Sequence, residues 1–222
     1  PALRGGYLSP ALLRRRIRTT DNWISNTVTV YRTEVLRRAG GFDESLGAFC
    51  DGFVVRCLAF ETGFVFVPGL FGAWRVAADT LSASSVLQVE NATAFIQLVV
   101  ERLSASSVTQ AVPDYPEIYS RRLRFAAARL HLIWREHEAD PEIVRALAGL
   151  GEPHLRVLSV IKRTVGFRGF GRTLALACLT VWLRPYGTFR FGMHIARNVY
   201  LLWRHRGHVT SSIAQAETRG RA

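Results

Sequence analysis

Three carboxylates carry most of the chemistry in this sequence. Asp43 and Glu44 follow the pair Gly40-Gly41, and Asp51 follows them after the stretch Ser-Leu-Gly-Ala-Phe-Cys. Asp51 stands where helical periodicity resumes, so it is expected at or near a helix N-terminus. Backbone N–H groups and the helix dipole favour an ionised carboxylate there. Such a carboxylate can take a proton from a bound hydroxyl, which makes Asp51 a candidate general base. An aspartate that only caps its helix fits the same local pattern, and spacing alone leaves both roles open. Asp43 and Glu44 are free to cap a turn or to face water.

The elements that must hold these residues follow from the flanking pattern. "WISNTVTVY" (Trp23–Tyr31) is rich in β-branched residues and reads as a strand. Thr33 is placed to cap a short helix, "EVLRRAG", which Gly40 ends in the left-handed conformation. "GFDESLG" then reads as a loop whose glycines drop Phe42 into a core. "DGFVVRCLAFETG" reads as a helix from Asp51, with Phe53, Val54, Cys57, Leu58 and Phe60 on its apolar side and Gly63 as its stop. "FVFVPG" (Phe64–Gly69) is expected as a short strand and "FGAWRV" (Phe71–Val76) as an extended piece. Beyond these the pattern turns helical, at about 85–103, 115–138, 141–149, 153–165, 170–183 and 188–206. "SASS" (Ser82–Ser85) and "LSASSVTQAVPDYP" (Leu103–Pro116) read as polar linkers.

The run "YRTEVLRRAGGFDESLGAFCDGFVVRCLAFETGFVFVPGLFGAWRVAADTLS" resembles the C-terminal half of a family 2 glycosyltransferase domain of the GT-A fold, over about Ile24 to Ser84. The resemblance lies in the order of parts. A strand ends in an aromatic and Arg, and a helix, Gly-Gly-Phe-Asp and an acidic residue opening the next helix follow. A glycine, a short strand with Pro, and an aromatic-Arg strand complete the order. It implies an α/β fold, a partial GT-A (Rossmann-like) half-domain with a mixed sheet over 1–84, and the helical pattern and charge add a helical extension over 85–150 and a basic helical tail over 151–222. It also implies an inverting transfer from a nucleotide-sugar donor to a glycan or lipid-linked acceptor, with Asp51 as the base. Asp43, Glu44, Trp74 and Arg75 become substrate-binding candidates. Arg75 suits a diphosphate and equally a salt bridge or a cap, and Trp74 suits a core or an acceptor wall.

The sequence departs from that family in two places. The nucleotide-binding half, with its Asp-x-Asp metal motif, is not supplied by Pro1–Asn22, where Asp21 stands alone. The chain is therefore expected to be an incomplete enzyme. Where the family often carries a metal-binding histidine, this chain has Ala77. A divalent cation, Mn or Mg, is expected in the complete enzyme, with no ligand assignable here.

Charge adds a second theme. The net charge is +12, yet Gly151–Ala222 holds twelve Lys+Arg against two Asp+Glu, which leaves the first part near neutral. Lys162 is the only lysine, so genome composition contributes to the arginine use. Arg190, Arg197 and Arg204 recur at heptad spacing among Phe189, Met193, Ala196, Val199, Tyr200 and Trp203. That is the pattern of an interfacial helix on an anionic membrane surface. "TLALACLTVWL" (Thr173–Leu183) is too short to span a bilayer, and no signal peptide is seen. A cytoplasmic protein, peripheral on the inner face of the cell membrane, is the expectation. Charge alone speaks for nucleic acid, without any recognition motif, so nucleic acid is not expected as a partner. "LLRRRIR" (Leu12–Arg18) reads as a solvated basic run, and Tyr119, Leu123, Ala126, Ala127, Leu130, Ile133 and Trp134 as a core stripe. Cys50, Cys57 and Cys178 read as small buried hydrophobes, and His131, His137 and His154 lack metal-ligand spacing. The competing function is a non-catalytic membrane-surface or scaffold module.

Overall fold

The structure is a computed structural model that describes residues 5–18, 28–69, 71–72, 89–134 and 139–185. Trp74, Arg75, Ala77 and the heptad arginines of the tail lie outside these residues, as do most of "FGAWRV" and the linker "SASS". Everything described lies within one compact unit, Pro1–Tyr186; Gly187–Ala222 is a separate unit.

The described residues are mostly helical. A first strand, β1 (Gly6–Leu8), leads into α1 (Pro10–Ile17), then α2 (Thr33–Arg38), a 3-10 helix (Glu44–Phe49), α3 (Cys50–Thr62) and β2 (Phe64–Phe66). Six further helices follow: α4 (Val89–Ser104), α5 (Ser107–Ala111), α6 (Tyr115–Trp134), α7 (Pro141–Ala148), α8 (Glu152–Val165) and α9 (Gly169–Leu183). The sheet consists of β1 and β2 alone among the described residues, antiparallel, with Tyr7 opposite Val65.

This overturns the expected α/β half-domain with a mixed sheet. Helices account for 73% of the described residues, and the two apolar clusters are built almost wholly from them. The described part of "WISNTVTVY" is not a strand: Val28 lies in a short turn, and Val30 is 97% exposed. A β-branched run adopts a strand when it meets a pleated, half-buried surface, and none faces Val30 here. β1 arises instead from "GYL", three residues after a glycine, where no strand is expected from the sequence. "GFDESLG" is not an open loop, since most of it enters the 3-10 helix. "LSASSVTQAVPDYP" likewise contains α5, capped by Ser106, whose side chain accepts from the Val108 N–H.

Helix boundaries follow local chemistry. Ser9 caps α1 by accepting from the Leu12 N–H at 3.4 Å, with Pro10 opening the helix. α2 begins at Thr33 rather than after it, so Thr33 is not its cap, and Arg32 precedes it without a side-chain bond. Its end is as expected. Gly40 has φ 85°, its N–H bonds to the Arg37 carbonyl, and the Gly41 N–H reaches back to Leu36, each at 3.0 Å. α3 stops at Gly63, φ 71°, where a Cβ would lie 2.5 Å from the Leu8 carbonyl oxygen. β1 therefore packs against the end of α3, and the Tyr7 hydroxyl donates to the Thr62 carbonyl at 2.8 Å.

Two apolar clusters fill the unit. The first joins Leu13 and Ile17 of α1, Leu46, Phe49, Ala59, Phe60, Val99 and Leu103, and Tyr115 and Tyr119 of α6. The second joins Ala92, Phe125, Ala128 and Leu132 to α7, α8 and α9 through Val144, Leu158, Ile161, Leu179 and others. α4 and α6 thus contribute to both. The buried face of α6 runs through Tyr119, Arg122, Phe125, Ala128, His131 and Leu132. It is rotated from the expected stripe, whose Leu123, Ala126, Leu130 and Ile133 are only partly buried. No helix of the described residues is long and apolar enough to cross a membrane.

Candidate functional site

Asp51 occupies the first turn of α3, as its place in the sequence requires. The chain reaches it through the 3-10 helix, which bends at Gly47, φ 47°. Phe49 precedes α3 as its N-terminal flank and is buried against Tyr119, with ring centroids 4.9 Å apart. That anchor fixes the direction in which α3 starts. Asp51 is half-buried, and its Oδ1 accepts from the Gly52 N–H at 2.5 Å.

Tyr31 lies beside Asp51. Its phenol is pushed up to about 12, first by burial, then by the negative charge of Asp51 and of Cys50, with a Thr29 side-chain hydrogen bond acting the other way. The phenol therefore holds its proton to a higher pH than a free tyrosine, near the carboxylate. The Tyr31 ring meets Phe42 edge-on, at 5.9 Å and 87°. Phe42 is 40% exposed, so the Gly-Gly-Phe turn sets it against Tyr31 and not into the core as expected. Tyr31 thus meets Phe42 through its ring and feels the charge of Asp51.

Arg56 holds the start of α3 from the other side. Its Nη1 donates to the Gly52 carbonyl at 2.6 Å and its Nε to the Tyr115 hydroxyl at 2.7 Å. Its guanidinium lies 5.2 Å from the Phe49 ring centroid and 4.7 Å from that of Tyr119. The turn that carries Asp51 is therefore clamped to α6. Sequence reasoning missed both Tyr31 and Arg56. For Arg56 there was a signal, an arginine within the apolar stretch "FVVRCLAF". For Tyr31 there was none, because its approach depends on the path of the loop between α2 and α3.

Asp43 caps the 3-10 helix. Its Oδ1 accepts from the Ser45 N–H at 3.0 Å and the Ser45 hydroxyl at 2.5 Å, and its Oδ2 lies 3.8 Å from Arg102 Nε. The Ser45 hydroxyl holds its carboxyl below the usual range, with Arg102 acting the same way. Glu44 is exposed in the first turn of that helix. The structure thus sets Asp43 and Glu44 at one end of the 3-10 helix and Asp51 just past the other. Cys50 and Cys57 are half-buried, and burial raises the Cys57 thiol.

Among the described residues, no three His, Cys, Asp or Glu side chains gather to hold a metal ion. The His154 ring meets Trp182 edge-on at 4.7 Å, and His131 is buried in α6. Comparison with models of known families, with characterised proteins and with solved structures finds no match.

Proposed function

We propose that this chain carries the acceptor-side part of an inverting sugar transferase, with Asp51 as the general base. The observation that supports it is a half-buried carboxylate in the first turn of α3 with a protonated tyrosine beside it. In this reading an acceptor hydroxyl gives its proton to Asp51 and attacks the anomeric carbon of a nucleotide-sugar donor. The bond from that carbon to the nucleoside diphosphate breaks, the diphosphate leaves with the electron pair, and the configuration inverts. Tyr31 orients the carboxylate or the acceptor hydroxyl by donating a hydrogen bond. The arginine clamp on Gly52 keeps the turn in place while the proton moves. Glu44, and Asp43 where its cap allows, offer acceptors to a glycan or lipid-linked sugar, and Trp74 and Arg75 would serve the acceptor wall and the diphosphate.

The test is Asp51→Asn in the protein together with its donor-binding part, with nucleoside diphosphate release from UDP- and GDP-sugars as the readout. The change keeps size and polarity but removes basicity. Turnover is expected to fall at least ~100-fold, the lower end for loss of general base catalysis, with an unchanged circular dichroism melt. Near-normal turnover in a folded variant would assign Asp51 to helix capping and leave the chain as a non-catalytic module.

A further inference from the structure

The pair α8 and α9 carries a surface that sugar transfer does not use. α9 has no charged residue between Arg172 and Arg184. Ala175, Leu179 and Leu183 on its inner side are buried in the second cluster. Phe170, Leu174 and Val181 are nonetheless exposed, Phe170 at 73%. Their spacing places them on one side of the helix, as a stripe about 16 Å long. On α8, Val157 and Val160 are exposed too, next to exposed Arg156 and Arg163. The turn between the helices is tight. Gly166 has φ 66°, and a Cβ on Gly171 would collide with the Gly166 carbonyl, so Phe170 is held at the tip.

Apolar stripes of this kind on a folded surface mark an interaction site. Charge identifies the partner. Gly151–Arg184 holds six basic residues and one acidic residue. We infer that the outer face of α8 and α9, centred on Phe170, Leu174 and Val181 and edged by Arg156, Arg163 and Arg184, docks on an anionic lipid bilayer. The stripe is too short to cross the hydrocarbon and long enough to enter the boundary between headgroups and acyl chains. The arginines at its edges lay their stems along apolar surface and reach lipid phosphates with their heads. Nucleic acid would match the charge only. Its bases need aromatic platforms, and Phe170 is the one exposed aromatic on α8 and α9. The inference is independent of the sugar-transfer reading.

The experiment is sedimentation of the 222-residue chain with vesicles of phosphatidylcholine alone or mixed with phosphatidylglycerol. Binding is expected to the mixed vesicles and to weaken with salt. Phe170→Ser with Val181→Ser should weaken it at least tenfold without changing the thermal melt, because both side chains face outward. Arg156→Gln with Arg163→Gln should weaken it roughly thirty-fold, from two contributions of about 1 kcal/mol each. Arg14→Gln with Arg15→Gln on α1 should leave it unchanged. Equal binding to neutral and mixed vesicles at all salt concentrations overturns the inference, as does no binding. Wild-type binding by both outer-face variants also overturns it and moves the membrane contact to Gly187–Ala222. Loss with the arginine pair but not with Phe170→Ser and Val181→Ser, together with competition by an oligonucleotide, would make the face a nucleic-acid site instead.

Discussion

The Nη2 of Arg122 donates to the Ile17 carbonyl at 2.8 Å, across 105 positions of sequence. The same nitrogen reaches the Arg18 carbonyl at 2.9 Å, and Nε donates to the Pro185 carbonyl at 2.8 Å. One buried guanidinium in α6 therefore satisfies the end of α1 and the turn that follows α9. Arg122→Leu would leave these carbonyls without their charged donor in a dry site. A loss of about 2–4 kcal/mol is expected, from several charge-assisted bonds. Urea unfolding of both proteins measures it, and a change below ~1 kcal/mol would show that the carbonyls find other donors.

Gly63 should tolerate a side chain less well than Gly40. Both have positive φ, 85° and 71°. A Cβ at Gly40 meets nothing within 4 Å, whereas at Gly63 it meets the Leu8 carbonyl at 2.5 Å and the Tyr7 ring at 2.7 Å. Gly40→Ala is expected to cost about 1–2 kcal/mol from the left-handed backbone alone. Gly63→Ala should cost at least twice that and loosen β1, which limited proteolysis near Gly6 would detect. Equal costs would mean that β1 is not fixed by this contact.

Arg56 should not tolerate lysine. Arg56→Lys keeps the charge but loses the planar fork that reaches Gly52 and Tyr115 at once, and the stacking on Phe49 and Tyr119. A destabilisation of about 1–3 kcal/mol is expected. If turnover is measurable, it should fall more than stability implies, because the first turn of α3 loses its anchor. Full stability in Arg56→Lys would reduce the clamp to a simple charge contact.

Tyr31 should be read through pH. Its phenol titrates near 12 in the folded chain and near 10 when unfolded. Between those values the unfolded chain has lost this proton and the folded chain still holds it. The contribution is therefore fully present below pH 10 and is lost as pH rises through about 12. Tyr31→Phe should fall less steeply in stability over that window than wild type. The difference in absorbance at 295 nm between the two proteins should show one phenol ionising near pH 12. A step near pH 10 instead would place Tyr31 in open water.

The sequence makes several helices readable and hides the sheet. α3 declares itself by its apolar period and by Gly63, and α8 and α9 lie within a residue of their expected starts because Gly151 and the glycines after Val165 punctuate them. The strands do not, because three residues are too few to show a period. The described end of the β-branched run, Val28–Tyr31, shows the reverse error, a propensity with no surface at Val30 to satisfy it. At the site, the helix-start position of Asp51 is legible because the apolar period of α3 begins right after it. Tyr31 beside it, Arg56 beneath it and the inward turn of Arg122 are set by partners far along the chain. Arg121, Arg122 and Arg124 look alike in sequence, and only the packed elements decide which one turns inward.

The sharing of α4 and α6 between the two clusters has a consequence for how the unit opens. Ala92 belongs to one cluster and Val99 and Leu103 to the other, and α6 divides in the same way between Tyr119 and Phe125. Neither cluster can let go without pulling on a helix that the other still grips. Amides midway along α4 and α6 should therefore exchange with deuterium only in the rarest, global openings, while those of β1 and α2 exchange through small local ones.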